Sequence, residues 1–358
     1  MLFRSNGGSL TAAQVAVQPQ LIQVLESSTG MTYRATAGGA CCTTFNNNTV
    51  VPNYTYRVAG TYVTGSHAIK AGWNDTFGYL NALFYAYNPV SYNFTNGSPT
   101  SITEAIVPYP TQQEENHDFG MFVQDSWKMT RVTVNGAVRY DWFKASFPTQ
   151  TLGQGSALVG LQNRNIVFPA QDNLNWKDIT YRSGVVYDLS GQGKTALKVS
   201  FNKYLLGQTL NGNTIAENPL NTLVSSANRS WTDTNRNFVV DCDLQNRGAQ
   251  SPATTGSIDT CGALDNASFG VPTPAAQFDK DLLTGWGHRP ANWEFSASVQ
   301  HELARGIGID VGYFRRIWKN FAVTDNTLVG VNDFTKYSLT VPTDSRLETS
   351  GRTLTGLY

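Results

Sequence analysis

The sequence contains no run of about 18 apolar residues, the length that a membrane-crossing helix needs. Charge is sparse as well: Asp, Glu, Lys and Arg make up 15% of the chain, against roughly a quarter in ordinary soluble domains. The 26 basic and 26 acidic residues cancel, so no positive field points to a nucleic-acid partner. Histidine and cysteine number four each. His67, His117, His288 and His301 are scattered and no C-x-x-C pair occurs, which argues against a zinc site. The opening residues, MLFRSNGGSLTAAQ, lack the charged-then-apolar pattern of a secretory signal.

Catalytic signatures are missing too. The stretch SGQGKT resembles a phosphate loop, but that loop needs a glycine where Asp188 stands, and the following residues alternate like a strand rather than a helix. We therefore expect a hairpin turn there. His301-Glu302 is not a zinc-protease motif, because Arg305 occupies the second histidine position, and no G-x-S-x-G occurs. Glu114 and Glu115 are neighbours that point apart and read as surface charge. The expectation is a protein that is not an enzyme.

What the chain does have is aromatics, 16 Tyr, 18 Phe and 8 Trp, set among Asn, Thr, Ser and Gly. That composition suits a β-protein with one face in a non-aqueous setting, and it also suits a secreted sandwich. Period-two segments separate the two. Phe119, Met121, Val123 and Trp127 alternate with small polar residues, as do Val132, Val134, Val138, Tyr140 and Trp142. Further examples are Tyr181, Val185 and Tyr187, then Leu197, Val199 and Phe201, then Trp293, Phe295, Ala297 and Val299, and finally Ile307 to Tyr313. These runs reach about ten residues, enough for a strand to cross a bilayer. Their wet faces carry Gly, Ser, Asn and Gln, as a pore lining does.

Connections point the same way. Short turns fall at 64–67, 94–99, 128–131, 190–194 and 303–306. Mostly longer connections, at 26–53, 110–115, 148–174 and 208–291, alternate with them, with a brief one near 82. If each strand reverses direction, the short turns gather at one end and the long loops at the other, as in outer-membrane barrels. Trp142 and Trp293 then sit on the oily face near the long loops, and Trp127 and Tyr187 near the short turns, as two interfacial girdles. Asp125 and His301 also fall on that face, close to turns where charge costs little. Phe314-Arg315-Arg316 breaks the alternation and is expected to lie beyond the bilayer.

The hairpin FGMFVQDSWKMTRVTVNGAVRYDWF (119–143) resembles a recurring hairpin of TonB-dependent outer-membrane receptors, in particular the Oar-like group with a carboxypeptidase-regulatory-like domain. NWKDITYRSGVVYDLSGQGKTALKVSFNKYL, GWGHRPANWEFSASVQHEL and DVGYFRRIWKNFAVTDN add weaker likeness, and together the resemblance covers most of residues 50–345. It implies an antiparallel up-and-down transmembrane β-barrel of 22 strands, plugged by an N-terminal domain and energised through TonB. About eleven strands are expected here, including one near 14–25. With no plug, TonB box, regulatory-like domain or signal peptide in the sequence, the chain is expected to be a middle piece, about half of a barrel, in the outer membrane of a Gram-negative-type bacterium.

All four cysteines fall in the expected extracellular loops. Of the three possible pairings, Cys242 with Cys261 closes a short loop in an oxidising space. Cys41 and Cys42 are adjacent, where a bridge would be strained, so they are free or pair elsewhere. In WTDTNRNFVVDCD, Asp233, Asn235, Asn237, Asp241 and Asp243 offer alternate oxygens to calcium. An EF-hand loop would need Gly and Glu where Phe238 and Leu244 stand, so a solvated polar loop is the first reading and calcium the alternative. No other cofactor is expected. The expected partners are membrane lipid, the TonB complex and an extracellular solute, with carbohydrate or peptide as hypotheses. The alternative is a non-transporting adhesin or structural barrel. A carbohydrate-active enzyme stands third, because it would need a carboxylate pair across a cleft.

Overall fold

A computed structural model describes residues 22–34, 46–85, 88–107, 109–152, 166–208, 218–274 and 276–357. Eight long strands build the main antiparallel sheet: β1 (Asn53–Thr64), β2 (His67–Tyr85), β3 (Tyr109–Lys128), β4 (Val132–Phe147), β5 (Gln171–Asp188), β6 (Thr195–Leu205), β7 (Ala291–Ala304) and β8 (Ile307–Lys319). Each pairs with the next in sequence, so the wall is an up-and-down meander. Asn46–Val50 prolongs β1 along the upper half of β2, with Pro52 at the break, which suits a residue lacking the ladder's N–H donor. Among the described residues, the sheet is open, with β1 and β8 at its edges.

The four turns β1–β2, β3–β4, β5–β6 and β7–β8 all lie at one end, and the longer connections at the other. Chemistry at the turns explains their tightness. Gly65 and Gly306 adopt positive φ of 55° and 85°, which hairpin turns require and glycine supplies without strain. In SGQGKT the Asp188 carboxylate accepts the backbone N–H groups of Ser190, Gly191 and Gly193. It occupies the donors that a phosphate would need, and the segment is a turn.

One face of the sheet is apolar and exposed. Val58, Met121, Val123, Val138, Ile179, Val185, Val299, Val311 and Tyr313 all lie on it, and each is at least 40% exposed. Aromatic contacts run across it, such as Tyr181, Phe201 and Trp293 with ring centroids 5.2–5.7 Å apart. The opposite face carries Ser, Asn, Gln and charged side chains, with the Ser200 and Ser296 hydroxyls 2.7 Å apart.

Several expectations change. No connection interrupts β2 near 82, and 110–115 lies inside β3. The 94–99 turn joins Val90–Thr95 to Ser98–Ala105, which belong to a separate six-stranded sheet at the long-loop end. The wall therefore has eight long strands where about eleven were expected. Val90, Tyr92 and Phe94 do alternate, but their apolar side is buried in a protein core, and a half-buried strand has the same period as a membrane strand. Gln23–Glu26 joins that smaller sheet rather than the wall; the rest of the strand expected near 14–25 lies outside the described residues. Phe314-Arg315-Arg316 does not end β8, which pairs with β7 as far as Lys319. Residues 321–358 form a separate unit holding a hairpin of Tyr337–Thr340 with Thr353–Leu357.

The two-faced wall makes a sharp prediction. Ala297→Arg, in the middle of the apolar face, should cost about 2–4 kcal/mol of stability in lipid, while Ser296→Arg, one residue away on the polar face, should cost under about 1 kcal/mol. Denaturant unfolding from lipid vesicles measures both, and equal losses would contradict the assignment of faces.

Candidate functional site

At the long-loop end, three chain segments assemble one module. Its sheet runs in the order Thr260–Cys261, Ser226–Thr232, Ser98–Ala105, Val90–Thr95, Gln23–Glu26 and Met31–Arg34. Val24, Tyr92, Phe94, Ile102, Leu220, Trp231 and Phe269 pack its core, with the Tyr92 and Trp231 rings 4.7 Å apart. The Asn96-Gly97 hairpin is tied down by Glu26, whose carboxylate accepts from both backbone N–H groups and from Ser28. Those bonds favour the charged form, and the carboxyl is lowered to about 2, led by the Ser28 hydroxyl.

Cys242 and Cys261 are disulfide-bonded, with 6.5 Å between their Cα atoms. Cys41 and Cys42 lie outside the described residues. In the polar segment upstream, Asp233 accepts the N–H groups of Asn237 and Phe238. Asp241 accepts the side-chain amides of Asn235 and Asn237, and Asp243 the N–H of Gln245. These oxygens close a turn in which Arg236 and Phe238 hold positive φ. Among the described residues no three His, Cys, Asp or Glu side chains form a metal-binding group. Calcium would have to displace these hydrogen bonds.

Deeper in the module, Glu104 and Arg229 form a wholly buried ion pair at 3.1 Å, and Arg229 also donates to the Asn246 carbonyl. Burial pushes the Glu104 carboxyl up to about 7, with Arg229 pulling it part of the way back. Burial likewise pushes the Arg229 guanidinium down.

The 206–290 connection also folds over the polar face of the wall. Phe143, Ala145, Leu174 and Trp176 are buried there against Leu283, and the Trp176 indole N–H donates to the Leu282 carbonyl at 2.9 Å. Arg289, from the same connection, lies over the Phe143 ring and 3.8 Å from Asp118. Around it runs an ionic network. Arg139 bonds Asp141 at 2.6 Å and Asn74 at 3.0 Å. Lys203 bonds Asp178 at 3.1 Å, while on the apolar face His117 bonds Asp75 at 2.9 Å. Gly120 makes the arrangement possible: a Cβ there would stand 1.7 Å from the Arg139 Nη2. The network has only a faint signal in the sequence: Asp118, Arg139 and Asp141 recur on wet strand positions in a charge-poor chain.

The four expected girdle aromatics all lie on the apolar face. Trp127 stacks on His67 and donates to the Ser66 hydroxyl beside the first turn. Tyr187 pairs with Val132 beside the next. Trp142 stacks on His117 and donates to Asn175 towards the other end, and Trp293 has Lys319 over its ring. The charges expected near the turns are partnered: Asp125 with His67 at 2.6 Å, and His301 with Thr195 at 2.8 Å.

Residues 4–317 match the protein family described as outer membrane beta barrel domain. Among solved structures, the chain is similar to the siderophore receptor PiuA from Acinetobacter baumannii, at 13% identity and a TM-score of 0.31. The match covers 76% of this chain and 39% of the receptor, so the chain spans well under half of that receptor's length. No curated protein matches.

The buried pair in the module predicts a pH effect. Because the folded Glu104 carboxyl is raised to about 7 from 4.5, its contribution to stability is fully present below pH 4.5 and is lost as pH rises through 7. Amide exchange in Ser226–Thr232 should be slower at pH 5 than at pH 8 after correction for intrinsic rates, and Glu104→Gln should flatten the difference. A module equally protected at both pH values would refute this.

Proposed function

The chain belongs to the outer membrane β-barrel domain family, and from that premise we propose that it forms part of the wall and the mouth of an outer-membrane solute receptor. The apolar face meets lipid and the polar face lines a watery lumen. The observation that carries the reading is the mouth: the 206–290 connection does not stand clear of the wall but covers its polar face, packing Leu283 and Arg289 against Trp176 and Phe143. A barrel whose loops cover its own lumen is built to admit something selectively. The disulfide-tied module beside it offers a rigid surface with exposed Phe238 and Val239, suited to holding a solute such as a sugar or a peptide.

No bond chemistry is required, so the proposed role is non-enzymatic. Binding by the module would precede passage along lumen-facing polar groups. Import coupled to TonB is the form of this proposal that the 119–143 hairpin suggests. The calcium reading of 233–243 would enter as a brace of the loop rather than as chemistry.

Removing residues 226–274 from the full-length protein should abolish depletion of its solute from the medium while leaving a heat-modifiable barrel in the outer membrane. An uncoupler of the proton-motive force should stop depletion by the intact protein. Depletion insensitive to both would sink the receptor reading, and loss of cell adhesion instead would favour the adhesin.

A further inference from the structure

Below the mouth, the polar face carries cations that have no paired acid among the described residues. One register row crosses the wall as Lys70, Gln124, Ala137, Arg182, Asn202, Glu294 and Arg316. Glu294 is paired with Arg316, which leaves Lys70 and Arg182 without an acidic partner among the described residues. Arg57, which faces Asn74 across β1 and β2, has none either. Nearer the mouth, by contrast, Asp118 and Asp178 are paired with Arg289 and Lys203.

Two of these cations, Arg57 and Arg182, converge with the Asp141-paired Arg139: the three line one cavity of about 240 Å³ together with Gln124 and Thr180. Arg139 reaches it across Gly120, held by Asp141 and Asn74. Arg182 is steadied over the Tyr204 ring, 4.9 Å from its centroid. Two of the three guanidiniums are thus oriented in advance while keeping unused N–H donors. Planar guanidinium groups with free donors are suited to oxyanions, which accept paired, charge-assisted hydrogen bonds. Gln124 adds a neutral donor, while the Thr180 hydroxyl donates to Asp141.

We propose that Arg57, Arg139 and Arg182, with Lys70 beside them, form an anion-binding belt on the lumen wall that takes a phosphate, sulfate or carboxylate group of the passing solute. The proposal rests on the lumen reading of this face, and it makes the solute an anionic one. Placing the belt beneath a charge-compensated mouth puts the attraction inside the barrel rather than at its surface.

The test is titration of inorganic pyrophosphate into the full-length protein in lipid nanodiscs at low salt. Binding should be measurable and should weaken with salt. Arg57→Gln and Arg182→Gln should each weaken it by roughly tenfold to a hundredfold, the range for a charge-assisted hydrogen bond. Gly120→Ala should weaken it similarly, by expelling the Arg139 side chain, whereas Lys144→Gln, in the exposed pair with Asp172, should leave it unchanged. Heat-modifiability shows whether each variant is folded; both arginine variants alter exposed or part-exposed side chains, so they carry the test if Gly120→Ala misfolds. No pyrophosphate binding by the folded wild-type protein, or an equal loss in Lys144→Gln, would overturn the belt. Solute depletion without energy dependence, but with pyrophosphate binding intact, would instead remove the receptor reading and leave the belt standing.

Discussion

Everything in this molecule depends on backbone pairing in a setting where one side of the sheet has no water. A strand crossing lipid must satisfy every N–H and C=O through its neighbours, because nothing else in the hydrocarbon can. Long antiparallel strands are the result, and from Tyr181 to Tyr187 each residue of β5 faces a partner on β4. Once the ladder is fixed, side chains can only alternate, and the two faces acquire different solvents. The same rule bears on the edges at β1 and β8, since an unpaired edge in lipid is costly; a barrel requires them to meet further strands.

At the long-loop end, ordinary globular physics takes over. There the strands are short, their apolar faces are buried against Trp231 and Phe269, and a disulfide adds a covalent tie. A buried Glu104–Arg229 pair within that core is expensive unless both charges remain together. Rigidity in the module and the proposed selectivity at the mouth come from the same source, dense packing of loop segments onto one another and onto the polar end of the wall.

This division explains which features were legible in sequence. The wall from β3 to β8 could be read because alternation, turn glycines and loop lengths agree, as at Phe119–Trp127 and Trp293–Val299. Val90–Thr95 and Ser98–Ala105 could not be assigned to the module, since alternation alone does not say whether the oily side meets lipid or Trp231. Asp188 could be read as the end of a phosphate-loop reading, though not as the residue that organises the turn. The ionic network was hidden because its members, Asp118, Arg139, Asp178 and Arg289, are far apart in the chain and meet only across register. Gly120 looked like any small wet-face residue until the Arg139 side chain was seen lying over it.

The central claim, that one face of the wall meets lipid and the other water, is tested most directly by a nitroxide scan along β7. Single cysteines at residues 293 to 300, in a background with Cys41 and Cys42 replaced by serine, would each carry a spin label in lipid vesicles. Positions 293, 295, 297 and 299 should collide readily with oxygen dissolved in the hydrocarbon, and positions 294, 296, 298 and 300 with a water-soluble nickel chelate. Accessibility to the nickel chelate that is the same at both sets of positions would contradict it.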